Sequence, residues 1–209
     1  MSTSSRPWQN TTHDWARKVD VEHLAQVRRA PEVFAAGGTT HLILEVLAYA
    51  ADEAEWIGTI GRCRVTLHAD DSVSVADNGR GTDTRRDVRD RPVKKPIMAT
   101  RDLRFFDFPD AQQLPDGRPR RGVSVVAALS PWLVHTNRRR NGAWTQRYEH
   151  GVPVTGLRSI PDQDTTGTTV HFLPADSVRS MQQVSPSVLR RSATAWSHLA
   201  VEVIDERTI

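Results

Sequence analysis

The sequence predicts an α/β fold, a two-layer α+β sandwich in which one mixed β-sheet is covered on one face by helices. Three observations carry this. Two alternating runs, Val65-Thr66-Leu67 and Ser72-Val73-Ser74-Val75, flank Asp70-Asp71, which is the pattern of a hairpin whose second strand ends at Asp77. A long helix is expected over 41–56, opened by Gly37-Gly38-Thr39 with Thr39 or Thr40 as its N-cap. Strand-like runs at 133–136, 144–148 and 168–172, with Asn141-Gly142 as a hairpin turn and a closing strand at 201–204, complete a single sheet.

Composition narrows the function classes. At 209 residues the chain has the length of one domain, and 38% hydrophobic with 25% charged residues is the balance of a soluble protein. No apolar run approaches the roughly 20 residues that cross a bilayer. No hydrophobic stretch follows Met1, so no secretory signal is expected and a cytoplasmic location is. Cys63 stands alone, which excludes an internal disulfide, and no Cys/His spacing suggests a metal site. A net charge of +3 is far from the basic bias of a dedicated nucleic-acid-binding domain. The arginines are nonetheless clustered, at Arg85-Arg86, Arg118 to Arg121 and Arg138-Arg139-Arg140. Such runs fit solvated loops or phosphate contact.

Taken in order, residues 1–20 are polar and hold Trp8 and Trp15 without periodicity, so they read as a flexible N-terminal arm ahead of one domain over 21–209. Leu24, Val27 and Val33, interrupted by Pro31, suggest a short helix and a turn. On the 41–56 helix, Glu45, Tyr49 and Asp52 fall on one face, while Leu42, Val46 and Leu47 form an apolar one. A pair of carboxylates on one helix face is also what a wet surface shows. After Asp77 come Gly79 and Gly81, which leave room for a flat ligand beside a carboxylate, although an ordinary turn would use them too. Residues 82–116 are proline-interrupted and read as an irregular lid, with Ile97, Met98 and Leu103 as candidate wall residues. Gly117 and Gly122 precede an apolar helix over 123–129, and Pro186 opens a last helix reaching about 196.

These segments together, from His41-Leu42-Ile43-Leu44-Glu45 and Asp52-Glu53-Ala54 through Asp77-Asn78-Gly79-Arg80-Gly81 and Gly122-Val123-Ser124 to Thr166-Gly167-Thr168, resemble the N-terminal ATPase domain of the DNA gyrase B subunit and its topoisomerase relatives. That domain has the GHKL, or Bergerat, ATP-binding fold shared with heat-shock chaperones, histidine kinases and mismatch-repair proteins. The resemblance implies ATP as cofactor, with Asp77 and Thr168 at the adenine and Asp52 supporting the water around Asp77. It implies Glu45 as the catalytic general base, and Glu53, Gly79, Arg80, Gly81, Met98 and Val123 around the nucleotide. An arm like that of residues 1–20 reaches a second subunit in gyrase B, so a homodimer through it is implied. DNA is expected indirectly if at all, and no membrane.

Three departures bear on activity. Tyr49 stands where the family has an asparagine that holds magnesium, and a phenol is a poor ligand for that ion, which leaves magnesium doubtful and no metal ligand assigned. Arg120 replaces the middle glycine of the family's phosphate cradle between Gly117 and Gly122, so Arg120 and Arg121 are expected either to contact phosphates themselves or to mark decay of the cradle. The 209 residues also hold no counterpart of the lysine that a following domain directs at the γ-phosphate. The expected function is therefore adenine-nucleotide binding by a stand-alone or truncated gyrase-B-like domain with weak or absent hydrolysis. The alternatives are a non-catalytic interaction module, or an ATP-hydrolysing topoisomerase B subunit working with other chains.

Overall fold

The computed structural model describes residue 13 and residues 18–106, 112–140, 142–161 and 163–207. Its elements in chain order are α1 (Val21–Arg29), α2 (Pro31–Phe34), α3 (Gly38–Ile57), β1 (Gly61–Leu67), β2 (Val73–Asp77), β3 (Thr84–Arg86), β4 (Pro92–Lys94), α4 (Leu103–Phe106), α5 (Val123–Ala128), β5 (Trp132–Arg139), β6 (Gly142–Glu149), β7 (Val152–Pro153), β8 (Arg158–Ser159), β9 (Gly167–Leu173), α6 (Asp176–Arg179), α7 (Pro186–Ala193) and β10 (Leu199–Asp205).

The main sheet has the strand order β10-β1-β2-β9-β5-β6-β7, with β8 also on β6. β10 runs parallel to β1 and the other pairings are antiparallel, so the sheet is mixed, as expected. Register explains its hydrophobic face. Leu67 pairs with Val73, Val73 with Phe172, Phe172 with Leu133 and Leu133 with Tyr148, which draws one apolar row across five strands. All five of those side chains are buried, whereas Arg64 and Glu202 pair on the outer side. The period-2 alternation thus sends one set of side chains to the helices and the other to solvent.

α3 lies across this face, against β1, β2 and β10, and meets α5 and α6 as well. Contact from both sides explains why Leu42, Ile43, Leu44, Val46 and Leu47 are all buried. The expectation of one polar and one apolar face on this helix is corrected: most of its circumference is inside. The start is corrected too. The helix begins at Gly38 behind Gly37, no side chain caps it, and Thr39 and Thr40 are buried within its first turn.

Among the described residues of 82–116 there is more regular structure than expected. They contain the two-stranded hairpin β3-β4 and the short helix α4. The strands at 133–136 and 144–148 each extend to eight residues, and the closing strand to seven. Pro31 does not merely interrupt a helix but opens α2 as its first residue. Cys63 is a buried free thiol, as expected. Trp8 and Trp15, the arm reading built on them, and Asn141 of the hairpin turn lie outside the described residues. Among the described residues no helix is long and apolar enough to cross a membrane.

Candidate functional site

A cleft of about 510 Å³ opens between α3 and the central strands. Its lining brings together Tyr49, Asp52, Glu53, Asp77, Gly79, Arg80, Gly81, Met98, Val123 and Thr168, all expected from the sequence. Glu45, Gly117, Arg120, Arg121 and Gly122 are not among the residues lining it.

Asp77 sits at the end of β2, where pairing with β9 stops at Ala76 and Thr169. Its Oδ1 accepts the backbone N–H of Gly79 at 2.8 Å and that of Thr168 at 3.2 Å. Burial pushes its carboxyl up from the ordinary range, while the Thr168 hydroxyl and the two N–H groups pull the other way. The backbone around it is closely fitted. A Cβ at Gly167, where φ is +136°, would lie 2.0 Å from the Asp77 carbonyl oxygen, and one at Gly81, where φ is +81°, 2.6 Å from the Arg138 carbonyl oxygen. Only glycine meets both demands.

The wall beside Asp77 is built by α3. Arg80 donates to Glu53 from Nε at 2.5 Å and from a terminal nitrogen at 2.9 Å. Its guanidinium lies 4.3 Å from the centre of the Trp56 ring, which is 63% exposed. Charge and aromatic face together hold Arg80 at the rim of the cleft. The floor includes His135, which is wholly buried, and burial together with Lys94 pushes its pKa well down, so it is neutral.

Around Tyr49 and Asp52 of α3 the cleft is bordered by a charged network. Arg120 donates to both oxygens of Asp52, at 3.0 and 2.9 Å, and to Gln112 at 2.9 Å. Arg104 binds both oxygens of Asp102, at 3.0 and 2.8 Å, and reaches Asp52 at 3.3 Å. The Tyr49 hydroxyl donates to Asp102 at 2.7 Å, and His13 approaches the same carboxylate at 3.5 Å. Burial would raise the Asp102 pKa, but His13 and Arg104 outweigh it and hold the group well below the usual carboxylate range. Expected to support the water around Asp77, Asp52 here has both oxygens on arginines. Arg120, expected either to contact phosphates or to mark decay of the cradle, is 1% exposed with its terminal nitrogens engaged. Its backbone carries no positive φ, unlike Gly117 at +75° and Gly122 at +94°.

Glu45 is fully buried and accepts the backbone N–H groups of Arg121 at 2.5 Å and Gly122 at 2.8 Å, which clamps α3 to the start of α5. His41 Nε2 is 3.5 Å from Glu45 and its Nδ1 is 2.7 Å from Asp116. Burial would lower the His41 pKa, yet the two carboxylates raise it to about 9. Tyr49 donates to a carboxylate, both nearby aspartates meet guanidiniums, and among the described residues no group of three His, Cys, Asp or Glu is placed to hold a metal.

Sequence spacing missed Asp102, Arg104, Gln112 and His135. The last had a signal, since Leu133, His135 and Asn137 alternate on one inward face of β5. The others come from loops or from the single short turn of α4, too brief to show a period.

A mixed sheet covered by helices on one face, with a carboxylate at a central strand end beneath a long helix, defines a GHKL-type α/β domain. The chain is 33% identical over 196 residues to the DNA topoisomerase 4 B subunit of Bacillus subtilis, covering 90% of this chain and 30% of that one. It is 34% identical over 202 residues to the DNA gyrase B subunit of Haloferax volcanii, covering 90% and 31%. Its fold matches that of a topoisomerase IV ATP-binding domain of Francisella tularensis solved with a small-molecule inhibitor, at a TM-score of 0.69 and 24% identity over 88% of this chain and 51% of that one. No protein-family model matches it. The chain belongs to the gyrase-B-like branch of the GHKL family and spans about 30% of the length of the first two relatives.

Proposed function

We propose that the chain binds an adenine nucleotide, ATP included, in the cleft over Asp77, with weak or absent hydrolysis. One observation carries the reading: a half-buried carboxylate, its Oδ1 held by the N–H groups of Gly79 and Thr168 and its charge also met by the Thr168 hydroxyl, lines a cleft of about 510 Å³. That carboxylate suits the exocyclic amine of adenine, with Thr168 completing the edge. Gly79 and Gly81 let the ring approach the backbone, and Met98, Val123 and Val170 offer apolar contact.

Weak turnover is supported by the other end of the cleft. Rate in phosphoryl transfer comes mainly from metal, phosphate positioning and stabilised charge. Here the aspartates hold arginines and Glu45 grips backbone N–H groups, so even its general-base role would require those two bonds to open. General-base help contributes only about 10²–10⁴-fold. The same network favours a second reading, a domain that serves interaction rather than catalysis. Action within a topoisomerase alongside other chains is the wider proposal that the relatives' names support, and a dimer through residues 1–20 with DNA at second hand is its finer form.

Calorimetry with ATP on the parent chain and on Asp77→Asn tests the adenine assignment. Loss of a buried charge-assisted hydrogen bond should weaken binding by roughly 1.5–3 kcal/mol, about tenfold to hundredfold. Equal affinities would rule Asp77 out.

A further inference from the structure

We propose that the cleft reads adenosine and not phosphate, because the chain's own carboxylates hold the groups that a nucleotide's phosphates would need. This rests on the adenine reading above and narrows its ligand class.

Glu45 and Glu53 are eight residues apart on α3, about 12 Å along its axis. Glu53 marks the Asp77 end: a Cβ at Gly79 would lie 2.9 Å from Asp77 Oδ1 and 3.3 Å from Glu53 Cγ. A ligand anchored there that runs along α3 toward its start passes Asp52, one residue from Glu53, and then Tyr49 and Glu45. The arginine and backbone donors that flank Asp52 and Glu45 are engaged. The N–H groups of Arg121 and Gly122, at the foot of α5, are both on Glu45. Arg120 has its terminal nitrogens on Asp52 and Gln112, and the Tyr49 and Phe105 rings stand 4.8 and 4.4 Å from its guanidinium. Its Nε, buried and without a partner, is the one polar atom of that side chain left over. Arg104 is shared between Asp102 and Asp52.

Charge points the same way. Arg104 and Arg120 are matched by Asp52 and Asp102, and the protonated His41 stands between the carboxylates of Glu45 and Asp116. A triphosphate would add several negative charges to a balanced network. To reach Arg120 it must displace Asp52, leaving a carboxylate unpaired beside the phosphate, a like-charge contact in a partly desolvated place.

The test is calorimetry with adenosine, AMP, ADP and ATP, with and without magnesium, at low and at raised salt. The expected result is four affinities within about threefold of one another, with little response to salt or metal, because no net phosphate–cation contact is made. ATP binding about tenfold or more tighter than adenosine, with a preference that salt erodes, would overturn this inference and leave the adenine reading standing. Absence of adenosine binding would overturn both. Asp52→Asn provides a gain-of-function arm. With the Asp52 charge gone from the cleft lining, the network there carries an unmatched positive charge, and ATP should then exceed adenosine by about tenfold. An Asp52→Asn protein that folds and binds all four ligands alike would contradict the claim that Asp52 is the obstacle. If that variant fails to fold, the parent series and its salt response decide.

Discussion

Arg120 and Asp52 form a two-pronged ion pair, 3.0 and 2.9 Å long, between the chain leading into α5 and the fourth turn of α3. The arginine is 1% exposed and the aspartate 35%. Breaking such a pair leaves a buried guanidinium without its counter-charge, whereas replacing the arginine by an apolar chain of similar length removes the charge altogether. Asp52→Ala should therefore lose about 3 kcal/mol, the low end for a buried pair because Asp52 keeps some water. Arg120→Met should lose less. Urea unfolding of both variants checks the order, and the reverse order would show that the pair is not what holds this end together.

His41 is the clearest source of pH dependence. Its folded pKa of about 9 lies above the ordinary 6.5, so its contribution is fully present below pH 6.5 and is lost as pH rises through 9. The slope is at most about 1.4 kcal/mol per pH unit. Lys94 acts oppositely, since burial lowers its pKa from 10.5 to about 7 and stability rises with pH across that window. The His41 effect is thus read as a difference. Stability of the parent minus that of His41→Gln should decline from pH 6.5 to 9, and a flat difference would mean that Glu45 and Asp116 do not charge the ring.

Gly167 and Gly117 both have positive φ, but they differ in surroundings. A Cβ on the first meets the Asp77 carbonyl at 2.0 Å, while a Cβ on the second meets nothing within 4 Å. Gly117→Ala should cost only the backbone strain, about 1–2 kcal/mol. Gly167→Ala should cost at least about 3 kcal/mol and weaken adenosine binding as well, because β9 must move away from Asp77. Denaturant titration alongside ligand titration separates the two, and equal costs would mean that β9 can shift freely.

The Arg80–Glu53 pair is half in water, with side chains 51% and 30% exposed. Arg80→Ala should change stability by less than about 1 kcal/mol, while releasing the guanidinium from Trp56 and altering the emission of that exposed ring. A large stability loss would show that the pair is part of the core.

How much of this could be read in advance follows the physics of spacing. The sheet was legible because inward positions recur every second residue, as in Leu133, His135 and Asn137, and Asp77 was legible because a strand places its last residue at its own tip. The start of α3 was not: Gly38 and Thr39 pack inside, and burial there outweighs the capping preference that favoured a later start. Asp52 was placed on the face it occupies, but its arginine partners were not foreseen. Those partners, Arg104 in the four-residue α4 and Arg120 in the irregular chain before α5, stand on either side of residues 107–111, where sequence distance says nothing about spatial distance. The same holds for Glu45, whose partners are two backbone N–H groups that no residue type advertises.

Binding without turnover can be tested on one sample. The purified chain is incubated with labelled ATP and magnesium until binding is complete, and the bound and free nucleotide are then identified. ATP should be bound at one site per chain and recovered unhydrolysed. Steady formation of ADP, dependent on magnesium and abolished by Glu45→Ala, would contradict this.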